Sequence, residues 1–224
     1  GQVRKPSIAE LFSPVFRSRT VSALLMTFVA LLTWWSCNAF IPVVAATLGQ
    51  SAAAAQGLSP QATSALVEEW KTIATTAFNV GGLLGTLLTI PIAKLWGRRP
   101  MFGTYFATAA VSLFVTFGLD LPAEIRLYLY FFIGLSVFGV FGSFTYYLPE
   151  LFPTRLRGTG SGFCYNIGRV VAAAGPYLVG SIAAAGADDP QVILNTLLLV
   201  GIVPVVGLLT LPLVVETKGQ QLPP

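Results

Sequence analysis

The chain has no histidine, only two cysteines, and just 10% charged residues. The first absence removes the commonest general base and the commonest metal ligand. Cys37 and Cys164 both lie inside long apolar stretches. They read as buried thiols, with no disulfide framework and no metal site. No acid lies deep in any apolar stretch, and no nucleophile–base set stands out, so enzyme chemistry is not expected. There is no Walker-type glycine loop to cradle phosphates, which argues against ATP-driven work within this chain. No cofactor is expected.

What the chain has in excess is apolar length. Of its 224 residues, 54% are hydrophobic. Six uncharged or nearly uncharged stretches stand out: Thr20–Val67, Thr72–Ala93, Pro100–Leu119, Leu127–Pro149, Gly158–Ala187 and Pro190–Val215. Soluble proteins do not carry six such runs. The alternation expected of membrane β-strands is missing. The reading is an all-α membrane protein with six transmembrane helices. The first stretch is too long for one span, and its Gly49–Gly57 part, rich in Ala, Ser and Gln, is expected as a loop. Residues 1–19 read as a cytoplasmic linker, 20–215 as the transmembrane domain and 216–224 as a cytoplasmic tail. Ile8, Leu11, Phe12 and Phe16 recur at helical spacing, so Ser7–Phe16 can lie along the membrane surface, limited by Pro14.

Lysine and arginine set the orientation. With the N-terminus inside, the cytoplasmic set is Arg4, Lys5, Arg17, Arg19, Lys94, Arg98, Arg99, Arg155, Arg157 and Lys218. Only Lys71 and Arg126 fall outside, along with Glu68, Glu69, Asp120, Glu124, Asp188 and Asp189. Both termini are therefore expected in the cytoplasm, and the membrane is a plasma or bacterial inner membrane. The formal charge of +4 needs no nucleic-acid partner, because the basic residues sit in short turns.

The remaining cation is Arg169, alone among charged residues in the thirty positions from Gly158 to Ala187. Ten helical steps from Thr159 place it roughly 15 Å deep. At that depth an arginine costs at least roughly 2.5 kcal/mol, so it should face protein, water or an anion rather than lipid.

Local features refine the helices. Ser59-Pro60 is a good helix start, with a serine cap and proline in the first turn. Gly175-Pro176 should kink the fifth span. Gly81 and Gly85, then Gly139, Gly142 and Ser143, then Gly158, Gly160 and Gly162 are small residues that let helices approach closely in lipid. Spans one to three run inside to outside and spans four to six run back. That is the topology of a 3+3 inverted repeat.

Three motifs sit at the cytoplasmic helix ends. They are Gly97-Arg98-Arg99-Pro100, the run Pro149-Glu150-Leu151-Phe152-Pro153-Thr154-Arg155-Leu156-Arg157-Gly158, and Val215-Glu216-Thr217-Lys218-Gly219. Glu150 can pair with Arg98, Arg99, Arg155 or Arg157 and latch the helix ends together as a cytoplasmic gate. In this order and spacing the motifs resemble the C-terminal half of a major facilitator superfamily transporter. The likeness is to its sugar-porter-like branch, with metabolite–proton symporters and organic-ion transporters. Val215 stands where the family tail has proline, and Lys94 where the loop motif usually has an acid. The resemblance covers essentially the whole chain. It implies half of a twelve-helix fold, a missing N-terminal six-helix half as partner, and a transport path between the halves. The chain then reads as a fragment of a longer protein.

The candidate substrate site centres on the fifth span. Gly162, Asn166, Arg169, Ala173, Pro176 and Gly180 share one helical face, with Tyr165 beside it. Ser143 with Tyr146 or Tyr147, Trp34, Trp35 and Asn38, and Thr75 with Asn79 are candidate neighbours. Arg169 presents a planar donor fork suited to carboxylates. The leading expectation is half of a secondary transporter for a small organic anion. It would work by alternating access with proton coupling, its coupling acid lying outside this chain. A sugar or polyol carrier is the alternative. A non-transporting sensor or assembly subunit of the same fold is another.

Overall fold

Proline and glycine decide where the helices break. The computed structural model describes residues 7–185 and 190–220. Expectations for Arg4, Lys5, Asp188, Asp189 and the last tail residues lie outside them. Regular structure among the described residues is all helical. A short helix α1 (Ile8–Leu11) precedes α2 (Arg17–Asn38) and α3 (Ile41–Ala55). The α2–α3 joint at Ala39 and Phe40 falls just before Pro42, which lacks an N–H and crowds the carbonyl four residues earlier. Then come α4 (Pro60–Trp96), α5 (Arg98–Gly118) and α6 (Ala123–Ile133). Span four continues through a π-helical turn (Gly134–Phe138) and a 3₁₀ turn (Gly139–Ser143) into α7 (Phe144–Leu151). The remaining elements are α8 (Arg157–Ala172), α9 (Ala174–Ala185), α10 (Pro190–Val200), α11 (Ile202–Leu209) and a 3₁₀ turn (Leu211–Leu213).

Among the described residues, five helical runs are long and apolar enough to cross a membrane: Arg17–Ala55, Pro60–Trp96, Arg98–Gly118, Ala123–Leu151 and Gln191–Leu209. The stretch expected as the fifth of six spans is instead two shorter helices, α8 and α9. They meet at Ala173, one turn before Pro176. The expected kink is thus a break, placed where proline removes a backbone donor and clashes with Ala172.

α4 approaches span four backbone to backbone. Ser59 caps it as expected, its hydroxyl accepting the Ala62 N–H at 3.3 Å. Its Gly81 and Gly85 lie directly on the backbone of span four: a Cβ on Gly81 would strike the Phe131 carbonyl, and one on Gly85 the Leu135 carbonyl. Gly134 and Gly139 are pressed back onto Phe78 and Gly85. Missing side chains on both helices let the backbones touch, and in lipid such contact is a main source of association energy. The irregular turns of span four fall in this contact.

The buried side chains form two clusters. One gathers Val44, Trp70, Phe78, Leu113, Phe117 and Tyr130. The other gathers Leu11, Met26, Phe102, Phe144, Tyr147 and Leu151. α2 packs on α8, and α5 packs on α6, α10 and α11.

Several expectations need correction. Most of Gly49–Gly57 is helix, not loop: α3 runs to Ala55, carried by its alanines, the best helix formers. The surface helix is one turn only, and Leu11 is fully buried beneath it. Of Gly158, Gly160 and Gly162, only Gly160 is a packing glycine, against Phe152; the other two face open space. Arg126, one of the two outer basic residues, is buried. It donates to the carbonyls of Thr116, Leu119 and Leu121 at 3.0, 2.9 and 3.2 Å, closing the C-terminal end of α5.

Candidate functional site: a cationic cavity and a charged latch

The cavity forms where α2, α8 and α9 meet. α8 turns its Asn166–Arg169–Val170 face away from the core, because Cys164, Gly168 and Ala172 on the other face pack inward. The break at Ala173 then brings Pro176 alongside. Trp35 of α2 completes a space of about 460 Å³ lined by Trp35, Asn166, Arg169, Val170, Ala173 and Pro176. Arg169 stands in the last turn of α8, where the helix dipole favours a cation. It is exposed, and no ion pair or side-chain hydrogen bond engages it among the described residues. Asn166 is also exposed and donates to the Gly162 carbonyl at 2.8 Å. One cation, one amide and one indole thus stand on an otherwise apolar wall.

The other candidates do not line this space. Tyr165 is half-buried and meets Phe144 edge-on at 6.1 Å. Trp34 lies behind Trp35, edge to face at 4.8 Å, and does not line the cavity. Asn38 is half-buried at the end of α2. Asn79 sits on exposed surface of α4 and donates to the Thr75 carbonyl at 2.8 Å. Ser143 is fully buried and donates to the Val140 carbonyl at 2.6 Å. Tyr147 is also fully buried; its hydroxyl meets Ser22 at 2.6 Å and the Val215 carbonyl at 3.1 Å.

The three motif turns meet at one end of the bundle. Glu150 ends α7, where the helix dipole disfavours an acid. Its compensation is Arg98, which donates from Nε at 3.0 Å and Nη2 at 2.7 Å in a bidentate pair. Thr217 adds a hydroxyl donor at 2.6 Å. Tyr146 lies under the Arg98 guanidinium, 5.6 Å from its ring centre, and donates to the Thr89 carbonyl. Gly97 makes this turn possible: its φ of +105° is a region side chains rarely enter, and a Cβ there would strike Glu216. Among the expected gate residues, only Arg98 takes Glu150. Arg99 bonds the Val214 carbonyl at 2.8 Å, Arg157 bonds the Pro149 carbonyl at 3.1 Å, and Arg155 pairs with Glu10.

Glu216 was not foreseen. Its carboxylate accepts the backbone N–H of Arg98 at 2.9 Å, of Arg99 at 3.0 Å and of Lys218 at 2.9 Å. It therefore caps α5 from a distant part of the chain. Burial alone would raise this carboxyl, but the three N–H donors and the Arg98 charge hold it below the ordinary carboxylate value. A signal for it was present: α5 opens Gly-Arg-Arg-Pro, with no side chain of its own to satisfy its first N–H groups. Glu10 gave no comparable signal, because only the folded linker brings it beside Arg155.

An apolar helical bundle with a charged latch at one end and a lone cation in a lateral cavity is an integral membrane protein of the transporter type. The chain belongs to the Major Facilitator Superfamily, whose family model matches residues 23–223. A protein of Haemophilus influenzae that carries the name of a metabolite transport protein is 32% identical over 66% of this chain and 35% of its own length. A protein of Cupriavidus pinatubonensis named for 4-methylmuconolactone transport is 30% identical over 62% of this chain and 32% of its own length. The cis,cis-muconate transport protein of Acinetobacter baylyi is 34% identical over 50% of this chain and 28% of its own length. The matches thus span about a third of the length of these relatives. Family and relatives place the chain with transporters and not with enzymes.

Proposed function

We propose that this chain is one six-helix half, built as a 3+3 inverted repeat, of a secondary transporter for small organic anions. α8 and α9 together would supply the fifth of the six crossings, ahead of α10 and α11. The carrying observation is Arg169: a cation exposed to a cavity, without an acid partner among the described residues, beside Asn166 and Trp35. A carboxylate substrate would accept both arms of the guanidinium, and its apolar body would rest on Trp35, Val170 and Pro176. Relatives named for muconate and methylmuconolactone transport support an organic-anion cargo. Alternating access would move a second six-helix half against this one. Breaking Arg98–Glu150 and the Glu216 cap would accompany opening at the latch end, which we read as cytoplasmic. Proton coupling would need an acid outside this chain.

The test is binding of benzoate and related carboxylates to purified, full-length, monodisperse protein. Arg169→Lys keeps the charge but loses the fork, so affinity should fall about tenfold or more. Arg169→Gln should abolish carboxylate binding while the protein still folds. Wild-type affinity in Arg169→Gln would end the anion reading and favour a sugar or polyol cargo.

A further inference from the structure

Trp34 stands behind the cavity wall and touches both that wall and span four. On one side its ring meets Trp35 edge to face, centroids 4.8 Å apart at 85°. On the other it meets Phe138 at 6.1 Å and Phe141 at 5.8 Å. Phe138 closes the π-helical turn of span four, and Phe141 lies in the 3₁₀ turn that follows. Phe138 is itself stacked on Phe78 of α4, centroids 5.9 Å apart at 17°. A continuous aromatic chain therefore runs from α4, through the irregular part of span four, to the cavity wall. The Trp34 indole N–H is buried and finds no acceptor among the described residues. The residue consequently acts here through its size and shape rather than through a hydrogen bond.

We infer that Trp34 is a positioning residue that sets the breadth of anion the cavity accepts. It props the Trp35 indole at a fixed distance from Arg169, and it takes its own position from Phe138 and Phe141. The inference rests on the reading of the Arg169 cavity as the substrate site. Aromatic pairs have definite preferred geometry, so removing the prop lets Trp35 lean back and widens the space. A shift in the π or 3₁₀ turn would reach Trp35 by the same contacts.

The experiment measures binding of benzoate and naphthoate, one charge and two breadths, to the full-length protein. Trp34→Ala should shift the benzoate-to-naphthoate affinity ratio toward naphthoate by about tenfold. Phe141→Ala should shift it in the same direction. Trp34→Phe retains an edge-on ring and removes an unpartnered donor, so it should fold and keep the ratio within about twofold of wild type. A purely structural role would weaken both ligands equally or lower only the folded fraction. An unchanged ratio in folded Trp34→Ala, or equal losses for both ligands, overturns the inference and leaves the cavity reading standing. Unaltered binding of both anions in Arg169→Gln, or no binding of either by wild type, removes the cavity reading and this inference with it.

Discussion

Arg98 holds Glu150 with both arms of its guanidinium, Nε at 3.0 Å and Nη2 at 2.7 Å, across 52 positions of sequence. Both side chains are largely covered, 15% and 17% exposed. The pair is thus better placed than a surface ion pair, whose worth is near zero to about 1 kcal/mol. Glu150→Gln keeps the shape but loses the charge. It should lower stability by about 2 kcal/mol, populate states open at the latch end and slow turnover. Thermal unfolding and thiol accessibility beside the latch check this. A melting curve and accessibility equal to wild type would reduce Glu150 to a topogenic charge.

Glu216 gives the latch a pH dependence with a definite sign. Its folded carboxyl lies below the ordinary value of 4.5. Its contribution is therefore fully present above that value and is lost as pH falls through the lowered folded value. Glu216→Gln should be less stable than wild type at neutral pH, and the gap should narrow under acid conditions below pH 4.5. Paired melts across that range decide it; a gap that grows on acidification contradicts the assignment.

Close backbone contact between α4 and span four makes a sharp packing prediction. Gly85→Leu must push against the Leu135 carbonyl and Gly139. It should cost about 3 kcal/mol or prevent folding. Gly162→Ala meets nothing within 4 Å and should be neutral or stabilising by up to about 1 kcal/mol. Size-exclusion profiles and melting temperatures of the two variants provide the comparison.

Orientation is tested by single cysteines in a background lacking Cys37 and Cys164, both buried. Thiols at Gln56 and Asp120 should label from outside the cell, and those at Thr154 and Lys218 from inside. All four positions are exposed. Outside labelling at Thr154 would reverse the proposed topology.

Apolar run length and the three motif turns were enough to read an all-helical membrane bundle, because lipid forces each long apolar segment to satisfy its own backbone. The lone charge at Arg169 and its face with Asn166, Ala173 and Pro176 were legible for the same reason. A cation in an apolar segment is costly wherever it points, and helical spacing says which residues point with it. Pairing was not legible. Glu150 had four candidate arginines within reach of the same turns, and geometry among separate helices selected Arg98. Glu216 on the first turn of α5, Glu10 on Arg155 and Arg126 on the end of α5 are likewise contacts between segments whose approach no local pattern encodes. The same holds for Trp34 and Trp35: adjacent in sequence and alike in chemistry, they are separated, Trp35 onto the cavity and Trp34 onto Phe138 and Phe141, only by where span four and α8 pack against α2. Local periodicity sets which face of a helix is which; the packing of glycine-lined backbones sets what that face meets.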